Sequence, residues 1–215
     1  MRKLLAVGMG IVAFFAMATT PAHAWPTTPP PDKIIIDVVT VNGSGCPAGT
    51  AAVAVSPDNE AFTVTYSDFL AQVGVGALPT DFRKNCQLNL LVHVPQGFTY
   101  AILAADYRGF ASLAKGSSAT QKSNYYFQGH PQTTAITHTL KGQFEDNWQF
   151  TDTTDVAQVV YAPCGEARNF NINTELRVSA GTSDPKTTTS FIAMDSTDGS
   201  IKTTYHFSWM PCPIK

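Results

Sequence analysis

Four cysteines, five histidines, several clusters of carboxylates and a run of adjacent tyrosines are the residues here with chemistry to offer. Cys46, Cys86, Cys164 and Cys212 are even in number, and an oxidising compartment would join them as disulfides. A four-thiolate zinc site is the alternative, but such sites are built from close cysteine pairs, and no two of these thiols are near neighbours in sequence. Three disulfide pairings are open. Local closure favours Cys46–Cys86 with Cys164–Cys212, each loop contributing about 4 kcal/mol through chain entropy. Oxidised cysteines leave no thiolate nucleophile.

The histidines show no metal-binding spacing. His93, His130, His138 and His206 form no H-x-x-x-H, H-E-x-x-H or H-x-H motif. His138 shares a strand face with Ile136 and Leu140, the setting of a core histidine. His93 and His206 lie on the polar faces of their strands, where a meeting across a sheet would make a metal or acid/base pair. Gly43-Ser44-Gly45 is only part of a nucleophile elbow and precedes a cysteine and a proline rather than a helix, so it reads as a turn. Asn42-Gly43-Ser44 also matches a glycosylation sequon, which has meaning only in a eukaryotic host. Glu145-Asp146 with Asp152 and Asp155, and Asp58-Asn59-Glu60, are oxygen-rich clusters of the ligand type calcium prefers, without EF-hand spacing. Solvated loop charge is their default, so no cofactor is expected and calcium is the one ion their chemistry would suit.

The aromatics point most directly to binding. Tyr125, Tyr126 and Phe127 are consecutive, and a strand alternates its faces, so at least one must point outward or sit under a loop. An exposed tyrosine beside Asn124, Gln128 and Trp148 would suit a sugar, whose apolar ring face stacks on an aromatic while its hydroxyls take amide hydrogen bonds. The expected binding set is Tyr107, Tyr125, Tyr126 and Trp148.

The elements that must position these residues are strands. Short β-branched and aromatic runs cut by Gly, Pro, Asn and Asp recur from Ile34–Val41 through Ala61–Tyr66, Gln87–Val94, Phe98–Asp106, Ser123–Gln128, Asn147–Thr151, Ala157–Tyr161 and Asn169–Ser179 to Ile201–Trp209. Leu88, Leu90, Val92 and Val94 share one face of their strand, as do Tyr205, Phe207 and Trp209. Only Ser67–Val73 has a helix-like start, and it soon meets Gly74 and Gly76. Asp198-Gly199 offers a hairpin turn. The pattern predicts an all-β fold, a jelly-roll-like antiparallel β-sandwich of two sheets stabilised by disulfides.

The N-terminus adds the compartment. Residues 1–24 have a basic start, a short apolar run and the Ala22-His23-Ala24 cleavage site of a signal peptide. Residues 25–32 (WPTTPPPD) read as a proline-rich tether, and residues 33–215 as one β-sandwich domain. Loss of Arg2 and Lys3 with the leader takes the net charge from −2 to −4, which disfavours nucleic acid and anionic membranes as partners. No later apolar run is long enough for a transmembrane anchor.

Gly43-Ser44-Gly45-Cys46-Pro47, Arg83-Lys84-Asn85-Cys86, Pro95-Gln96-Gly97-Phe98, Asp106-Tyr107-Arg108-Gly109, Tyr126-Phe127-Gln128-Gly129, Pro163-Cys164-Gly165 and Trp209-x-x-Cys212 occur in that order. In this the chain resembles a family of small secreted four-cysteine proteins known only as a domain of unknown function. The resemblance implies export and pairing of the four cysteines, and no activity. The expected role is that of a secreted, noncatalytic protein that binds a glycan or a cell-surface partner through an aromatic patch. A secreted hydrolase and a structural envelope or matrix component are the alternatives. Edman degradation of protein recovered from the culture medium should begin at Trp25; an intact Met1 on exported protein would refute the cleavage site.

Overall fold

The computed structural model describes residues 28–131, 135–154, 159–194 and 202–213. The expected leader, the first residues of the proline-rich segment and the Asp198-Gly199 turn lie outside the described residues. Among the described residues, twelve strands form two antiparallel sheets. One has the order β1 (Ile35–Asn42), β5 (Arg83–His93), β10 (Asn169–Ser179), β7 (Ser118–Phe127) and β8 (Ile136–Lys141). The other runs β2 (Ala51–Val55), β3 (Ala61–Tyr66), β12 (Thr203–Pro211), β6 (Phe98–Leu113), β11 (Thr189–Ala193) and β4 (Leu70–Gly74), with β9 (Phe144–Thr153) paired to the other side of β6. The first is called the amide sheet below, and the second the long sheet.

Alternation decides what lies between them. Leu88, Leu90 and Val92 on β5 and Phe170, Ile172 and Leu176 on β10 are buried against Tyr205, Phe207 and Trp209 on β12 and Tyr100 and Tyr107 on β6. The rings interlock: Tyr100 meets Phe127, Phe207 and Phe170 edge-on with centroids 5.3–6.5 Å apart. The segment with the helix-like start continues as β4 from Leu70, paired residue for residue with β11. Ala71 is buried on its inner side, and Gly74 turns the chain with a positive φ that a helix would not accept. Val159–Tyr161, part of an expected strand, is irregular.

Covalent and polar ties close the ends. Cys46 joins Cys86, fastening the β1–β2 loop to β5, and Cys164 joins Cys212, fastening the β9–β10 loop to the end of β12. Asn59, buried in a left-handed conformation (φ 59°), gathers several segments at once. Its side chain donates to the carbonyls of Pro30 and Asp32 (3.0 and 2.9 Å) and accepts from the Ile34 amide, while its own carbonyl accepts from the Trp209 indole (2.9 Å). The end of the proline-rich tether is thus held to the domain at Pro30 and Asp32.

Four core phenols, Tyr66, Tyr100, Tyr107 and Tyr205, have their proton affinity raised above the usual value, chiefly by burial. A folded state that keeps these protons while the unfolded chain releases them is fully stabilised below about pH 10 and loses that stability as the pH rises further. Spectrophotometric titration should therefore show these phenols ionising together with the loss of far-ultraviolet β signal. Gradual ionisation near pH 10 with the β signal intact would contradict the buried placement.

Candidate functional site

The expected aromatic patch divides between the two sides of the strands. Tyr107 is fully buried, Trp148 is 4% exposed and Tyr125 is 8% exposed, so these three belong to the core and not to a surface patch. Tyr107 packs edge-on against Tyr205, and Tyr125 lies against Phe170 with its hydroxyl on Thr154 (3.0 Å). Trp148 is inside because the residue opposite it on β6 is Gly109. A Cβ there would lie 2.2 Å from the indole, so the missing side chain makes the space that the ring fills. The glycine within a strand pattern was the available signal. Tyr126, between Tyr125 and Phe127, points out from the amide sheet and is half-buried. Phe110 lies on the outside of the long sheet beside Phe191, ring centroids 5.9 Å apart.

The histidines do not meet one another. His93 is on the amide sheet and pairs with Asp37 (2.7 Å), whereas His206 is on the long sheet and pairs with Asp106 (2.8 Å). The Thr151 hydroxyl, followed by His206, holds the Asp106 carboxyl below its ordinary range. His138 stacks on Phe150 and reaches the buried Asp152 (2.5 Å), which also accepts from Ser123 (3.1 Å). Asp152 thereby links the sheets through β8, β7 and β9. Asp58 accepts from Ser56 and from the Glu60 amide within its own turn. Asp155 lies outside the described residues, and among those described no three His, Cys, Asp or Glu side chains converge as a metal site. Ser44, in the Gly43-Ser44-Gly45 turn, exchanges hydrogen bonds with Asn85.

A different set of residues converges on the outside of the amide sheet. Asn169, Asn171 and Asn173 alternate along β10 with the buried Phe170 and Ile172, and Gln87 and Asn89 alternate along β5 with Leu88 and Leu90. Strand register aligns them in rows. Asn171 lies between Asn89 and Tyr126, and Asn173 lies between Gln87 and Asn124. The amides hold one another: Asn89 donates to Asn171 (2.8 Å) and accepts from Asn169 (2.7 Å). Beside them runs a groove of about 480 Å³ lined by Asn85, Gln87, Lys122, Asn124, Asn173 and Glu175. Polar residues at every second position, Asn-Phe-Asn-Ile-Asn above all, were the signal for this face in the sequence.

No helix among the described residues is long and apolar enough to cross a membrane. Among solved structures, the chain matches TmCBM61 in complex with β-1,4-galactotriose at 10% identity, over 80% of this chain and 88% of that one, with a TM-score of 0.31; so low a likeness transfers neither fold nor ligand. A relative described as an uncharacterized secreted protein of Arthroderma benhamiae is 37% identical over 192 residues, covering 89% of this chain and 77% of its own. Residues 32–212 match the family model described as a domain of unknown function, DUF4360. With that span matched and that degree of identity, this secreted, disulfide-bonded all-β chain belongs to the DUF4360 family.

Proposed function

We propose that the outer face of the amide sheet is a noncatalytic glycan-binding surface. The observation that carries this reading is the register of Asn89, Asn171 and Asn173 with Tyr126 and Asn124 on three adjacent strands. Each primary amide has both donors and acceptors, the complement a sugar hydroxyl needs, and Tyr126 adds an aromatic face for the ring. Asn171 is 6% exposed and forms the floor, while Tyr126, Asn124 and Asn173 stand half-exposed around it. Because the amides are oriented by one another and by a paired sheet, little side-chain freedom remains to be lost when a ligand binds.

Glycan-array screening of the oxidised mature protein, followed by calorimetry with the best ligand, tests this reading. Tyr126→Ala should weaken binding by about 1–3 kcal/mol, as expected for an aromatic anchor, with little change in thermal stability. Trp148→Ala should instead destabilise the fold by about 3–5 kcal/mol. Absence of any glycan ligand, or binding unchanged in both Tyr126→Ala and Asn173→Ala, would refute the proposal.

A further inference from the structure

One end of the amide face breaks a rule of sheet construction. Arg83 on β5 and Arg177 on β10 stand directly opposite each other. Like charges in that position repel and destabilise the pair. Glu175 takes both guanidiniums: Arg83 Nε donates at 2.6 Å and Arg177 Nε lies at 3.5 Å, while Arg177 also covers the Phe82 ring. On the other side of Glu175, in register with it, is Lys122 on β7, which is exposed and has no ion-pair partner among the described residues. Three cations around one carboxylate leave a local charge of +2 on a chain whose net charge is −2. Lys122 and Arg83 both line the groove that also exposes Asn173, Asn85 and Gln87.

We propose that the ligand of this face is an anionic glycan whose carboxylate, that of a uronic acid, is held at the Lys122 and Arg83 end of the groove while the neighbouring sugars lie on the amide rows. The proposal rests on the glycan-binding reading above. Two guanidiniums sharing one carboxylate have donors in excess, and a planar carboxylate suits the fork of an arginine. The adjacent amides set this site apart from a general polyanion trap, since phosphate recognition alone needs no lattice of neutral donors and acceptors. A patch of excess positive charge on an acidic protein also steers anionic chains to this face at low salt.

Binding of a galacturonate oligomer, a neutral galactose oligomer of equal length, a sulfated oligosaccharide and single-stranded DNA to the full oxidised protein tests this. The uronate should bind best, and its affinity should fall as salt rises. Lys122→Gln should reduce uronate affinity by about three- to tenfold, a clearly larger loss than it causes for the neutral oligomer, with the melting temperature unchanged. Glu175→Gln, which releases the two arginines, should shift uronate affinity in the opposite direction. Equal binding of neutral and uronate oligomers with no effect of Lys122→Gln would overturn the anionic-ligand proposal and leave the glycan face standing. Failure of every glycan would overturn both. Binding of DNA or the sulfated sugar in preference to the uronate would show a general polyanion site and likewise overturn the proposal.

Discussion

Strands β5 and β7 of the amide sheet dry mainly one of their two faces, and the candidate surface follows from which face that is, whereas central stretches such as Thr99–Ile102 on β6 are buried on both. Side chains alternate along an extended backbone, so facing sheets divide a strand such as β10 between an interior set and an outer set. Phe170, Ile172, Leu176 and Val178 go inward from β10, and Asn169, Asn173, Glu175 and Arg177 stand between them on the outer side. The same division separates Tyr125 and Phe127 from Tyr126. A candidate ligand surface therefore arises as the counterpart of the core, with its geometry set by pairing that the core requires.

The interior is more polar than its aromatic content suggests, and this shapes what the protein can do. Tyr66, Tyr107 and Tyr205 are buried together near Thr174, a group of phenols that must remain neutral for the sheets to stay packed. Phenols kept protonated by burial do not serve as general bases near neutral pH. The ionisable pairs nearer the surface, His93 with Asp37 and His206 with Asp106, lie on different sheets. Beside the His93–Asp37 pair, the rows of β5, β10 and β7 on the outer face of the amide sheet offer hydrogen bonding and charge, the chemistry on which the proposed recognition rests.

Much of the architecture was legible in the sequence because period-2 alternation is a local signal. Leu88, Leu90 and Val92, and Tyr205, Phe207 and Trp209, could be assigned to the interior without knowing their partners. The misplaced aromatics failed for a nonlocal reason. Whether Trp148 is inside depends on Gly109 opposite, a residue nearly 40 positions away whose missing side chain provides the space. The helix-like start at Ser67–Val73 was ambiguous for a related reason: a five-residue strand beside β11 has too little periodicity of its own to be told from the first turn of a helix. The amide face was written as Asn-Phe-Asn-Ile-Asn, but it acquires meaning only when β5 and β7 bring Asn89, Asn124 and Tyr126 alongside.

The proposed placement of recognition on a sheet face rather than on loops has a physical consequence. Loop-borne sites adapt to a ligand at the cost of ordering themselves, whereas side chains on paired strands are already spaced by the 4.8 Å or so between strands and the roughly 7 Å between alternate residues of one strand. A ligand that fits this lattice must itself repeat, as a polymer of similar units does. The Asn169–Asn89–Asn171 chain of hydrogen bonds makes the lattice stiffer still, because each amide is oriented by its neighbour. The disulfide at Cys46 and Cys86 ties the β1–β2 loop to β5, so the edge of the face near Gln87 is braced covalently. Rigidity of this kind favours an extended, regular ligand over a flexible peptide, and it does so before any single contact is considered.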